Sequence, residues 1–155
     1  MDWSVPLFEE QNWFIGVEKK GRKISKFVDL KESNIGTILG YYYSPEVTDL
    51  FKSSLAKRED VNRIDQNFEK LVHGRLDIVL DSNVLILDWV RRNGAKNLVR
   101  HPLVESSHQI HCALSKKSPV ALAKMNEVFE TMKKNGDIEK ILKKYRPTTA
   151  LPEAT

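Results

Sequence analysis

The chain has 155 residues, enough for one domain and too few for two full-sized ones. Hydrophobic residues make up 41% and charged residues 30%, which excludes a disordered or collagen-like chain, and no apolar run approaches the length of a bilayer span. The 25 Lys and Arg exceed the 21 Asp and Glu by only four. The basic residues are scattered, and their densest group (Lys133, Lys134, Lys140, Lys143, Lys144) falls around helix ends, so nucleic acid is not an expected partner. The single cysteine, Cys112, excludes an internal disulfide. Residues 1–20 carry acids and two Trp and lack an apolar core, so they do not read as a secretory signal peptide.

In chain order, residues 13–17 (WFIGV) read as a strand and 18–26 as a polar turn, with Ser25 capping a short turn through Asp29 and Leu30. Residues 34–39 read as a second, buried strand. Ser44-Pro45 then opens a helix whose Val47, Leu50, Phe51 and Leu55 recur at helical spacing. Residues 61–64 are expected as a short strand. Asp65 caps the next helix, with Phe68, Leu71 and Val72 on one face and Gly74 as its stop. The almost continuous apolar run 76–80 suits a strand covered on both faces. Ser82 or Asn83 caps a third helix to about Arg92. Residues 97–104 and 109–114 are extended. A second Ser-Pro pair, Ser118-Pro119, opens a helix striped by Leu122, Met125, Phe129 and Met132. Asp137 caps a last helix with Ile138, Ile141, Leu142 and Tyr145 inward, and 147–155 are expected as a disordered tail.

Alternating strands and helices predict an α/β domain with a mostly parallel five-stranded sheet, near 12–18, 34–39, 61–64, 76–80 and 109–114, and helices on both faces. Ligands of such sheets bind at the carboxyl ends of the strands. Two loops qualify. In the first, Gly40 is followed by Tyr41, Tyr42, Tyr43 and Ser44. A glycine there lets backbone approach a ligand, and the following helix end offers N–H groups to a carboxylate or phosphate. A tight turn with tyrosines on the sheet edge explains the same residues. In the second, Asp81 and Ser82 can accept a hydrogen bond from an ammonium or hydroxyl, although capping alone explains Ser82. No Gly-Lys-Ser/Thr P-loop ending or Gly-x-Ser-x-Gly elbow occurs. On a strand His108 and His111 point to opposite faces, so no metal site is expected from them and Cys112, which reads as a core thiol. No cofactor and no catalysis are expected.

A resemblance adds to this reading. Residues 4–8 (SVPLF), 26–31 (KFVDLK), 35–41 (IGTILGY) and 74–79 (GRLDIV) resemble motifs of the bacterial extracellular solute-binding proteins of family 3, the periplasmic receptors of amino-acid-type ABC transporters. So do the ending Ser115 to Pro119, Asn126, and Lys134 to Tyr145. The likeness runs in order over 3–146. It implies a lobe of the type II periplasmic-binding-protein fold, with 115–146 as the returning C-terminal helices and the family's first lobe outside this chain. It also implies binding of a small polar or amino-acid-like ligand without catalysis, and a membrane permease as partner. Gly40, Tyr41 and Tyr42 match the glycine loop of the family. Its amino-binding acid falls by spacing at Ser82, with Asp81 one residue earlier. The resemblance implies a periplasmic location, or the cytoplasm for a natural truncation without a signal peptide. A sensory or regulatory domain on the same fold and a small α/β enzyme are the alternatives. A homodimer that exchanges its C-terminal helices is expected to cover the apolar residues near both ends.

Overall fold

A computed structural model describes residues 1–18, 22–145 and 151–155. Its elements are β1 (Asp2–Trp3), β2 (Phe8–Val17), β3 (Asn34–Ile38), α1 (Pro45–Lys52), β4 (Lys57–Val61), α2 (Ile64–Val72), β5 (Ile78–Ser82), α3 (Asn83–Asn93), β6 (Leu98–Ile110), β7 (Ala113–Leu114), α4 (Leu122–Lys134) and α5 (Asp137–Lys143). A 3₁₀ turn spans Phe27–Leu30, and there Asp29, not Ser25, does the capping: its carboxylate accepts from the Ser25 and Lys26 N–H groups at 2.9 Å.

The sheet order is β4-β3-β5-β2-β6, and β1 pairs separately with β7. The pairs β3–β4 and β3–β5 are parallel, while β2 runs antiparallel to both β5 and β6. The sheet is therefore mixed rather than mostly parallel. β2 enters between β5 and β6 without a crossover helix of its own, which only antiparallel pairing allows. Strand positions also shift. The strand expected at 61–64 lies at Lys57–Val61, whose charged residues suit an exposed sheet edge. The extended segments 97–104 and 109–114 are one long strand, β6, and the short β7.

Helices cover both faces. Phe68 and Leu71 of α2 and Ile86, Trp89 and Val90 of α3 pack on Ile15 and Val79, with the Phe68 and Trp89 rings stacked at 4.3 Å. On the other face Val47 and Leu50 of α1, with Ile24 and Leu30, pack on Phe14, Ile35, Ile78 and Leu80. β5 is buried along its whole length, which suits the apolar Ile78, Val79 and Leu80 that open it, while Asp81 and Ser82 end it as buried polar residues. Gly36 is required by packing: an added Cβ would lie 2.5 Å from Leu76 Cδ1 and 2.7 Å from Asn67 Oδ1.

Several local expectations need correction. Arg63 is the N-cap of α2 and Asp65 sits inside its first turn. The helix α4 begins after Ala121, not at Ser118-Pro119. Gly136, at φ 72°, precedes α5, and Asp137 is its first residue. The stripe Leu122, Met125, Phe129 and Met132 is half-buried, but no residue of α4 is fully buried. Of the last apolar set only Leu142 is buried; Ile141 and Tyr145 are exposed. Val72 is exposed, and so is Cys112, which is therefore no core thiol. α4 is tied to the N-terminal segment by Asn126 Oδ1, which accepts from Val5 N at 2.9 Å, and by Lys133 Nζ, which donates to Pro6 O at 3.1 Å. The tail expected to lack structure lies partly outside the described residues (146–150). Its end, 151–155, extends the sheet edge: Arg100 N donates to Pro152 O at 2.8 Å, Ala154 N to Arg100 O at 2.9 Å, and Leu151 is buried.

Candidate functional site

The carboxyl ends of β3 and β5 meet the middle of β2 and of β6 at one edge of the sheet, as the register Asn12 opposite Ser82 and Ser106 shows. Both predicted loops reach this edge. At the first, Gly40 has φ 82°, a conformation that L side chains rarely adopt, and leads into Tyr41 and Tyr42. Tyr42 is 97% exposed and Tyr41 is 51% exposed, so these rings form an uncovered wall rather than packing on the sheet. Tyr43 turns inward. Its hydroxyl accepts from Ile38 N at 3.1 Å, and burial pushes its phenol up to about 12. Arg58 stacks over the Tyr43 ring at 5.4 Å and donates to Tyr41 O at 3.1 Å, fixing the loop from below.

At the second loop Asp81 is 2% exposed. Its Oδ1 accepts from Ser82 N at 2.7 Å, and its buried Oδ2 has no hydrogen-bond partner among the described residues. Burial pushes the Asp81 carboxyl up to about 6; the Ser82 N–H opposes the rise and the Glu10 charge adds to it. Ser82 caps α3, its Oγ accepting from Val84 N at 3.2 Å, and the same hydroxyl donates to Glu10 Oε1. The structure thus shows the capping role of Ser82 and a bond from its hydroxyl to Glu10.

The structure brings in residues that sequence reasoning missed. Glu105 is 6% exposed and polar on every side. One carboxylate oxygen accepts from Ser44 N, at the start of α1. The other accepts from Asn12 Nδ2 at 3.1 Å and from Ser106 Oγ. Its position follows from a β-bulge. Asn12 faces Ser106 and Trp13 faces Val104, so Glu105 is the extra residue on β6, re-aimed toward the helix end. Glu10 is a second such residue. Alternation on β2 places it beside Asn12, where it meets Ser82. No local signal marks Glu105, because its role depends on a register shift between strands about ninety residues apart in sequence.

Asp77 shares the strand with Asp81 but serves the fold, accepting from Asn34 N at 2.8 Å. His101 lies in β6 and is 4% exposed. Its Nδ1 accepts from Ile24 N at 3.2 Å, and burial pushes its imidazole down to about 4, with the Arg22 charge adding to the effect. His108 and His111 meet Ser106 Oγ and Ser4 O rather than one another. Among the described residues no group of His, Cys, Asp and Glu is arranged to hold a metal ion, and no helix is long and apolar enough to cross a membrane. The wide cleft of about 460 Å³ lined by Ser33, Asn34, Phe51, Leu55 and Lys57 lies at the amino ends of β3 and β4, away from the edge where such sheets bind ligands.

An α/β lobe with this edge has the fold of the type II periplasmic binding proteins, and the chain is similar over nearly its whole length to amino-acid-type solute-binding proteins. It is 28% identical over 147 residues to a probable histidine-binding protein of Neisseria gonorrhoeae, covering 94% of this chain and 54% of the relative. It is 24% identical over 129 residues to the arginine-binding extracellular protein ArtP of Bacillus subtilis (strain 168), covering 83% and 51%. The chain thus spans about half the length of the curated relatives it matches. Among solved structures, an ancestral arginine-binding protein bound to arginine superposes with a TM-score of 0.74 at 28% identity, over 93% of this chain and 63% of that one. No family model matches the chain.

Proposed function

We propose that this chain is the solute-contacting lobe of an amino-acid-type receptor of an ABC uptake system, with Gly40, Tyr41, Tyr42, Asp81 and Ser82 facing the ligand. The observation that carries the reading is the pairing of an exposed aromatic loop with a buried, unpartnered carboxylate oxygen at the carboxyl edge of the sheet. The relatives support it: their names describe histidine and arginine binding. The ligand is an amino acid or a related polar solute, held without catalysis. A periplasmic location and a membrane permease as partner follow from the same likeness. The half-buried stripe of α4 favours a homodimer in which a second copy covers it, with exchange of the C-terminal helices as the simplest route.

One wall of contacts must still offset the lost translational and rotational freedom of the ligand, so the chain alone binds free amino acids weakly. Amide chemical shifts of the labelled chain, titrated with millimolar L-arginine, L-histidine or L-glutamine, test the site. Shifts are expected in 40–44 and 81–82. If none of the three ligands moves those amides, or if calorimetry finds sub-micromolar binding to the chain alone, the reading is wrong.

A further inference from the structure

The strand ends opposite the carboxyl edge enclose a space that the solute-binding reading does not use. A cavity of about 250 Å³ is lined by Gly16, Val17, Arg22, Asp77, Ile78 and His101. Gly16 and Val17 close β2, Ile78 opens β5, and His101 lies near the start of β6. About 13 Å of strand separates Ile78 from Ser82 along β5, so the cavity and the edge are different places.

One wall is a histidine whose tautomer the fold dictates. The Ile24 N–H donates to His101 Nδ1 at 3.2 Å, so Nδ1 is the acceptor of the ring and the proton of the neutral imidazole sits on Nε2. Nε2 faces the gap beside Gly16, where an added Cβ would lie 2.7 Å from it. The absence of a side chain at Gly16 keeps this N–H reachable, and the described residues give it no hydrogen-bond partner. The second donor is Arg22. Its Nη2 donates to Lys31 O at 2.6 Å and to Asp29 O, which moors the guanidinium to the 3₁₀ turn through two neutral carbonyls. Among the described residues no carboxylate forms an ion pair with it. Asp77 is engaged elsewhere: its Oδ2 accepts from Asn34 N at 2.8 Å and from Asn34 Nδ2 at 3.2 Å.

An imidazole N–H and a guanidinium without an ion pair call for an acceptor with negative charge. The Asp77 carboxylate in the same cavity disfavours a multiply charged anion such as phosphate. The space equals about eight waters at about 30 Å³ each, and the apolar Val17 and Ile78 on its wall suit a short alkyl chain behind the charge.

We propose that this cavity is a second small-molecule site, for a short-chain monocarboxylate of acetate to butyrate size, whose carboxylate accepts from His101 Nε2–H and from Arg22 while its alkyl chain lies against Val17 and Ile78. The site is independent of the solute-binding reading of the carboxyl edge. Titration of the isotope-labelled chain with millimolar butyrate, methylammonium or inorganic phosphate tests it. In the free chain, proton–nitrogen correlation of the His101 ring is expected to show the proton on Nε2. Butyrate is expected to shift that ring and the amides of Gly16, Val17 and Ile78 and to leave 40–44 and 81–82 unmoved, while methylammonium and phosphate shift none of them. Arg22→Gln, at an exposed position, is expected to weaken the butyrate response about tenfold, the loss of one charge-assisted contact. Gly16→Ala sets a methyl group before Nε2 and is expected to abolish the response; unaltered amides elsewhere certify that it is folded, and Arg22→Gln carries the test if it is not. A proton on Nδ1, a His101 ring silent to butyrate, an equal response to methylammonium or phosphate, or a butyrate response that Arg22→Gln leaves unchanged overturns the proposal. Amino-acid shifts at 40–44 and 81–82 test the carboxyl edge alone and stand or fall separately.

Discussion

Replacing Asp81 by Asn isolates what the buried carboxylate costs the fold. Its ordinary value is 3.8 and burial raises it to about 6 in the folded chain. That displacement of roughly two pH units corresponds to about 3 kcal/mol. A raised carboxyl binds its proton more tightly when folded. Its contribution to stability is therefore complete below pH 4 and is lost as the pH rises through 6. His101 works in the opposite direction. Burial lowers it from 6.5 to about 4, so the unfolded chain binds the extra proton, and its contribution is complete above pH 6.5 and is lost as the pH falls through 4. The two opposing slopes fall in the same window and are of similar size, so the wild type should show little net pH dependence from this pair. Asp81→Asn keeps the acceptor for Ser82 N and removes the charge. The variant should match the wild type near pH 4 and exceed it by about 3 kcal/mol at pH 8. Its own stability should then rise with pH from 4 to 6.5, as His101 alone dictates. Urea unfolding followed by tryptophan fluorescence reads this as a midpoint shift of about 1 M or more at pH 8. A difference between variant and wild type that stays constant from pH 4 to 8 would refute the reasoning.

Three further outcomes are expected. Gly36→Ala should cost about 1–3 kcal/mol in urea unfolding, because its Cβ would meet Leu76 and the buried Asn67; unchanged stability would show that the packing there yields. Deleting residues 151–155 should cost about 2 kcal/mol or more, since it uncovers the face against Leu151 and removes two backbone bonds to Arg100; an unaffected unfolding midpoint would mean the segment adds nothing. Light scattering after gel filtration at tens of micromolar protein should give the mass of two chains, and the mass of one would defeat the dimer.

The elements legible in the sequence were those with local signals. Ser44-Pro45 marks the start of α1 because hydroxyl and ring act within one turn, and the run ending at Leu80 marks β5 because burial on both faces leaves no polar alternation. Gly40, Asp81 and Ser82 were legible as the ends of those elements. What stayed hidden depends on pairing between distant segments. β2 looks like any apolar strand, and nothing in residues 8–17 says that it runs against β5 and β6. Glu105 reads as one acid among serines until the bulge turns it toward Ser44. The Ser118-Pro119 pair carries the same local signal as Ser44-Pro45, yet the Ser118 N–H closes a turn onto Ser115 O and the helix waits for Ala121. Ser44 is held at its N–H by Glu105, and Ser118 has no such tertiary anchor among its described hydrogen bonds.

The central claim is that solute meets this chain at the carboxyl edge of the sheet. A crystal of the chain soaked in concentrated L-arginine tests it most directly. The account predicts electron density for the amino acid against Tyr41, Tyr42 and Ser82, with a cationic group toward Asp81. Density instead in the cleft between Ser33 and Lys57, at the opposite ends of the strands, with the carboxyl edge bare, would contradict it.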